Sequence, residues 1–130
     1  MSDGEVLYLD DDHDLREVVA DVLGGLHRKC LKVASYPDLV ALGERPLRCS
    51  MAILDINLGT AGASGLEAYR WLRQHGFGGP IVFLTGHASS HPLVREASRL
   101  GDAAVMEKPI SLDALEAAVG GPASEGARPR

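Results

Sequence analysis

The residues of this sequence with the clearest chemical potential are polar side chains that each end a short apolar run. Three carboxylates, one hydroxyl and one ammonium group share this placement: Asp10, Asp11, Asp55, Thr85 and Lys108. Oxygen ligands of this kind suit a hard divalent cation. A cation, a hydroxyl and an ammonium group together can bind a phosphoryl group, and a carboxylate beside them can act as its nucleophile.

A cluster of the three carboxylates would be unfavourable without a counter-charge. Two like charges about 5 Å apart repel by roughly 3 kcal/mol at an effective dielectric constant of about 20. A divalent cation relieves that repulsion, and an all-oxygen site that keeps several waters is typical of Mg²⁺. The residue types therefore predict a magnesium site, with Lys108 supplying a further positive charge.

The elements that must position these side chains are predicted from alternating apolar runs and helical periodicities. The clearest strand is in the stretch Met51-Ala-Ile-Leu-Asp-Ile-Asn-Leu58, where four apolar residues run straight into Asp55 and predict a strand buried on both faces. The predicted strands cover residues 5–9, 30–34, 51–58, 81–85 and 103–106, and each precedes a helical pattern. Five strands alternating with five helices predict an α/β fold, a doubly wound parallel sheet of order 2-1-3-4-5.

That sheet order explains how distant residues could meet. Its topological switch point lies between strands one and three, where open α/β sheets bind their ligands. Asp10 and Asp11 follow strand one and Asp55 follows strand three, so we expect these carboxylates to converge there. Thr85 and Lys108 would arrive from the neighbouring strands four and five.

The composition and charge limit the classes of protein to which this sequence can belong. A chain of 130 residues with 45% hydrophobic and 24% charged residues is typical of one globular domain. A net charge of -5 gives no electrostatic footprint for nucleic acid or for an anionic membrane. With no signal peptide and no long apolar span, we expect a cytoplasmic protein. Residues 1–119 are the predicted domain, and residues 120–130 are a predicted Gly/Pro-rich tail or linker stub.

Four segments together resemble a known family, the receiver domains of two-component response regulators. They are Val6-Leu-Tyr-Leu-Asp-Asp-Asp12, Ile53-Leu-Asp-Ile-Asn-Leu58, Val82-Phe-Leu-Thr-Gly-His87 and Met106-Glu-Lys-Pro-Ile110. Each segment alone is a weak signal, but four in this order at strand ends are a strong one. The resemblance covers residues 5–119 and implies a flavodoxin-like fold.

The resemblance implies specific roles for the polar residues. Asp55 would accept a phosphoryl group from a phosphohistidine on a sensor histidine kinase or a histidine phosphotransfer protein. Mg²⁺ would be held by Asp11, Asp55 and the backbone carbonyl of Asn57, with Asp10 reaching it mainly through water.

The other implied roles concern switching. Thr85 would bond one phosphoryl oxygen and Lys108 would pair with another, and those contacts would move the Thr85 loop. The chain would then be a signalling phosphoacceptor that assists its own phosphorylation and dephosphorylation, rather than an enzyme acting on a separate substrate. Its downstream protein target would bind the face formed by helix four, strand five and helix five, and a homodimer is an open alternative.

Three departures from the family pattern bear on switching. Gly59 stands where the family usually has proline, and the loop from Leu58 to Ser64 is longer than usual. Val105 stands where the family carries Tyr or Phe, so no ring can swing between exposed and buried positions. Our hypothesis is that Thr85 still moves but reports through backbone and helix-four shifts.

Two other functions fit parts of the pattern. A haloacid-dehalogenase-like phosphatase also uses Asp, Thr or Ser, Lys and Mg²⁺ in that order, and it would place the nucleophile at Asp10. That alternative gives Asp55 no role, and no acidic pair follows Lys108. A scaffold that retains the site residues and works without phosphorylation is the third hypothesis.

Overall fold

The computed structural model describes residues 4–56, 64–86, 91–108 and 111–119. Within these ranges, strands and helices alternate from the first element to the last. The strands are β1 (Val6–Leu9), β2 (Cys30–Val33), β3 (Met51–Asp55), β4 (Ile81–Thr85) and β5 (Ala103–Glu107). The helices are α1 (His13–Gly25), α2 (Tyr36–Ala41), α3 (Gly65–Gln74), α4 (Pro92–Ser98) and α5 (Leu112–Ala118), with a 3₁₀ turn at Arg45–Arg48.

The described strands form one parallel sheet of order β2-β1-β3-β4-β5. The predicted fold class, strand order and alternation with five helices are therefore confirmed. Element ends differ slightly from the predictions. Strand β3 ends at Asp55, within the predicted stretch Met51–Leu58, and β5 runs one residue further than predicted, to Glu107.

The core lies on both faces of the sheet because neighbouring strand residues point to opposite sides. On β1, Leu7 and Leu9 join a cluster covered by α2, α3 and α4, whereas Val6 and Tyr8 join one covered by α1 and α5. The central strands β1, β3 and β4 are buried at every position. This two-sided burial accounts for their unbroken apolar sequences.

Side-chain caps begin the helices at positions that the sequence indicates. The Asp12 carboxylate accepts a hydrogen bond from the backbone N–H of Leu15 at 3.1 Å, and Ser111 accepts one from Ala114 at 3.0 Å. These bonds satisfy amides that have no partner inside the helix. Asp12 thereby fixes the turn that leads from the end of β1 into α1.

None of the described helices combines the length and the apolar character needed to cross a membrane.

Candidate functional site

The site begins where the two central strands β1 and β3 end side by side. Their register pairs Leu9 with Leu54, so the next residue on each strand, Asp10 and Asp55, stands at the same edge of the sheet. One carboxylate oxygen each from Asp10, Asp11 and Asp55 lies within 4.8 Å of the other two. The convergence expected from the strand order is the arrangement that the structure has.

A glycine permits α3 to begin directly against the end of β3. A Cβ atom on Gly65 would lie 2.4 Å from the backbone oxygen of Asp55, far inside van der Waals contact. The amide of Gly65 also donates to the carbonyl oxygen of Ile56 at 2.9 Å. Glycine is needed here for a close approach of two backbone segments, and this approach fixes the peptide that follows Asp55.

The adjacent strands supply the hydroxyl and the ammonium group. Thr85 is the last residue of β4 and is buried, and its carbonyl accepts a hydrogen bond from the Lys108 amide at 2.7 Å. The Lys108 ammonium group lies 3.2 Å from Asp10 Oδ2 and 3.3 Å from Asp55 Oδ1. Lys108 therefore bridges the ends of β1 and β3 from across the sheet.

Burial dominates the electrostatics of the pair of inner carboxylates. Desolvation raises the pKa of Asp55 to about 7, and the neighbouring charge of Asp10 adds to the rise while Lys108 opposes it. Burial disfavours the charged form of Lys108, but Asp55 and Asp10 outweigh that effect and hold its pKa above the ordinary value. The site without a cation is thus short of positive charge at neutral pH.

A contact of Tyr8, which sequence reasoning missed, holds the Asp10 carboxylate in place. The Tyr8 hydroxyl donates to Asp10 Oδ2 at 2.7 Å, and the backbone N–H of Asp12 donates to Asp10 Oδ1 at 3.0 Å. Burial, and then the hydrogen bond to Asp10, raise the pKa of Tyr8, which keeps it a donor. The two-residue period of a strand could have indicated this contact, because it places Tyr8 and the residue two positions later, Asp10, on the same side of the sheet.

Sequence reasoning also missed Arg16, which holds the backbone of Asp10 rather than its side chain. Its guanidinium donates to the carbonyl oxygen of Asp10 at 2.8 Å from the second turn of α1. The peptide after β1 is thus held by α1 and by the Asp12 turn. No pattern in the sequence distinguishes this arginine from a surface arginine.

The donor set fits a small hard cation. Three carboxylates offer oxygen ligands within reach of one another, and Asp11 is exposed at the rim, where water can complete a coordination shell. Of the predicted site residues, Asp10, Asp11, Asp55, Thr85 and Lys108 lie at this edge, whereas Asn57 lies outside the described residues.

Comparisons with known proteins place the chain in a family. The family model for the response regulator receiver domain matches residues 6–120. The chain is 31% identical over 111 residues to the C4-dicarboxylate transport transcriptional regulatory protein DctD of Pseudomonas aeruginosa, a match covering 85% of this chain and 23% of that protein. It is 33% identical over 113 residues to the transcriptional regulatory protein FixJ of Azorhizobium caulinodans, covering 85% and 51%. The chain thus spans about a quarter and about half of the length of these two curated relatives.

Solved structures agree with this assignment. The receiver domain of NtrX from Brucella abortus superposes with a TM-score of 0.72 at 26% identity, covering 85% of this chain and 91% of that chain. The chemotaxis protein CheY4 of Vibrio cholerae gives a TM-score of 0.72 at 23% identity over 86% and 92%, a likeness of fold. With the acidic cluster at the carboxyl ends of β1 and β3, these matches show that the chain belongs to the receiver domains of two-component response regulators.

Proposed function

We propose that this chain is a phosphorylation switch in which Asp55 accepts a phosphoryl group from phosphohistidine on a sensor histidine kinase or a histidine phosphotransfer protein. The observation that carries the proposal is the contact set of Asp55. Its carboxylate is buried at the end of β3, 3.3 Å from the Lys108 ammonium group and within one cluster with Asp10 and Asp11. A nucleophilic carboxylate needs this combination of fixed position and positive surroundings.

In the proposed reaction a carboxylate oxygen of Asp55 forms a bond to phosphorus while the bond from phosphorus to the donor's imidazole nitrogen breaks. The electron pair of the broken bond stays on that nitrogen, and an acyl phosphate remains on Asp55. Lys108, which already lies beside Asp55 Oδ1, pairs with a phosphoryl oxygen. Bound Mg²⁺ would neutralise part of the charge on the phosphoryl oxygens.

The residues proposed to hold Mg²⁺ are Asp11, Asp55 and the backbone carbonyl of Asn57. Asp10 is assigned a role through water because both of its carboxylate oxygens already accept hydrogen bonds from protein donors. Asp11 is exposed, and no donor among the described residues forms a hydrogen bond to its carboxylate. Its oxygens are therefore available as direct ligands.

The output is proposed to pass from Thr85 into α4 rather than through an aromatic ring on β5. Val105 is half-buried against the core cluster beneath α4, and its short side chain carries no ring. A direct backbone bond does join the two strand ends, because the Lys108 amide donates to the Thr85 carbonyl oxygen. A downstream protein would bind the face formed by α4, β5 and α5, and a second copy of the chain could bind the same face.

The phosphatase alternative is disfavoured by the state of Asp10, which it requires as nucleophile. Asp10 is fully buried, Tyr8 and Lys108 occupy its Oδ2 atom, and the Asp12 amide occupies Oδ1. A carboxylate with both oxygens engaged is poorly placed to attack phosphorus. The family match supports the receiver function as well.

Labelling with acetyl phosphate and Mg²⁺ tests the proposal. We expect mass spectrometry to map the phosphoryl group to Asp55, Asp55→Asn to abolish the label, and Asp11→Asn to weaken Mg²⁺ binding. Asp21→Asn, a change of an exposed carboxylate on α1, is the matched control and should label normally. Label on Asp10 would favour the phosphatase, and a folded protein that takes no label would favour the scaffold.

A further inference from the structure

The geometry points to Tyr8 as a positioning residue of the phosphoryl-transfer site: its hydroxyl holds Asp10 in place so that Lys108 can leave Asp10 for the phosphoryl group on Asp55. The inference rests on the proposed function and adds a residue from the core to it. Nothing in the roles of the five polar strand-end residues requires a tyrosine at this position.

The contact between Tyr8 and Asp10 is fully buried. Tyr8 is one of the largest fully buried side chains of the protein, and Asp10 is fully buried as well. Their hydrogen bond, 2.7 Å from Tyr8 hydroxyl to Asp10 Oδ2, is inside the cluster covered by α1 and α5. A phenol in an apolar core usually places its hydroxyl near a partner, and here the partner is a carboxylate of the site.

The Asp10 carboxylate has three described donors. Its Oδ2 atom accepts from Tyr8 and lies 3.2 Å from the Lys108 ammonium group, and its Oδ1 atom accepts from the Asp12 amide. Without Tyr8, Lys108 would be the one described donor to Oδ2. A buried carboxylate oxygen that loses its only donor is strongly unfavourable.

Lys108 lies where it can move from Asp10 to the phosphoryl group on Asp55. Its ammonium group is almost equidistant from Asp10 Oδ2 and Asp55 Oδ1. Phosphorylation of Asp55 adds negative charge on that side and draws the ammonium group toward it. With Tyr8 present, Asp10 keeps one donor on each oxygen when Lys108 moves away. In Tyr8→Phe, Lys108 would be the remaining described donor to Asp10 Oδ2, so the ammonium group would be held on Asp10.

Tyr8→Phe tests the inference by removing one oxygen atom and little volume. We expect its maximal rate of phosphorylation by acetyl phosphate at saturating Mg²⁺ to fall roughly fivefold. The half-saturating concentration of acetyl phosphate should not change, because Tyr8 does not touch the phosphodonor. The matched control is Tyr69→Phe, which also removes a hydroxyl bonded to an aspartate, but that aspartate is Asp102, directly before β5. The control should keep the rate of the unsubstituted protein.

A second readout needs neither Mg²⁺ nor phosphorylation. Protein labelled with ¹³C at the tyrosine Cζ position, studied in EDTA, should show a Tyr8 resonance that shifts in Asp10→Asn. The resonances of Tyr36 and Tyr69 should stay in place in that variant. This measurement uses the Tyr8 side chain itself, so it remains decisive if Tyr8→Phe fails to fold.

The outcomes separate the inference from the proposed function. If the unsubstituted protein takes no phosphoryl group, the proposed function fails whatever the Tyr8 resonance does. If Asp55 is labelled but Tyr8→Phe matches the unsubstituted rate within about twofold, the inference is overturned. A Tyr8 resonance that is unmoved by Asp10→Asn overturns it equally.

Discussion

Asp55 is held in a site that disfavours its charge until positive charge is supplied. Its carboxylate is removed from water and faces Asp10, and Lys108 compensates for one of the two negative charges. Unfavourable electrostatics of this kind are common at reactive groups, because binding of a cation or a phosphoryl group relieves the repulsion. The stability of the protein without metal should therefore depend on the protonation of this one residue.

We predict that the metal-free protein loses stability as pH rises from about 4 to about 7. The folded-state pKa of Asp55 is raised from 3.8 to about 7, so in this window the folded state binds the proton that the unfolded state has released. The contribution is fully present below the unfolded pKa and is lost as pH rises through the folded one. Urea unfolding in EDTA across this range measures it.

Asp55→Asn is the control for that pH dependence. It should flatten the decline and raise the free energy of unfolding near pH 7.5 by on the order of 2 kcal/mol. An equally steep decline in Asp55→Asn would show that another group carries the pH dependence.

At the scale of elements, the site depends on two contacts that lie outside the strand-end residues. The start of α3 packs backbone to backbone against the end of β3, and the end of α3 is tied to the loop before β5. These contacts set where α3 lies over the sheet. Each can be tested by one substitution with a matched control.

Gly65→Ala should destabilise the protein by about 2–3 kcal/mol, because its Cβ atom would lie 2.4 Å from the Asp55 carbonyl oxygen. Phosphorylation of Asp55 should slow as well, since the backbone after Asp55 must shift. The control is Gly24→Ala in α1, where a Cβ atom meets nothing within 4 Å and alanine should stabilise the helix by up to about 1 kcal/mol. Chemical denaturation of both variants gives the comparison, and equal effects would refute the close-approach argument.

Arg73→Met should destabilise the protein by roughly 2 kcal/mol, because one guanidinium joins three segments. Arg73 donates to the carbonyl oxygens of Phe77 and Gly79, and to the carboxylate and backbone carbonyl of Asp102. Arg45→Met is the control, since Arg45 makes one exposed ion pair, to Glu5, and should change stability much less than Arg73→Met does. Equal thermal unfolding midpoints for the two variants would show that Arg73 is not a structural link.

At the scale of the whole molecule, the question is how a change at Asp55 reaches a partner. Strands β3, β4 and β5 are continuous neighbours, so the proposed shift at the end of β4 would act directly on β5 and on the helix between them. Position 105 on β5 is a valine and offers no aromatic ring for this step. The proposed route therefore depends on motion of the backbone and of α4.

We therefore expect hydrogen–deuterium exchange in residues 91–100 to change when the protein binds beryllofluoride, a mimic of the acyl phosphate. Thr85→Ala should reduce that change, because the hydroxyl that follows the phosphoryl group is gone, while exchange in α1 should be unaffected in both proteins. Unchanged exchange in α4 of the unsubstituted protein would contradict the proposed route. Thr85→Ser, which keeps the hydroxyl, is the matched control.

The sequence by itself determined the strands, their order and the residues at their carboxyl ends. Apolar runs that stop at Asp10, Asp55 and Thr85 are a local signal, and the α/β alternation admits few sheet orders. Because the carboxyl ends of parallel strands share one edge, convergence of these residues followed from the topology alone. The family resemblance rested on the same residues.

Only the tertiary structure decided which atoms meet. That Tyr8 donates to Asp10 Oδ2, that Lys108 lies between Asp10 and Asp55, and that Gly65 must lack a Cβ atom all depend on register and helix placement. Those features are set by contacts between segments far apart in sequence, to within a fraction of an ångström. The sequence pattern indicates on which face of a strand a residue lies, but not its distance to a partner on another strand.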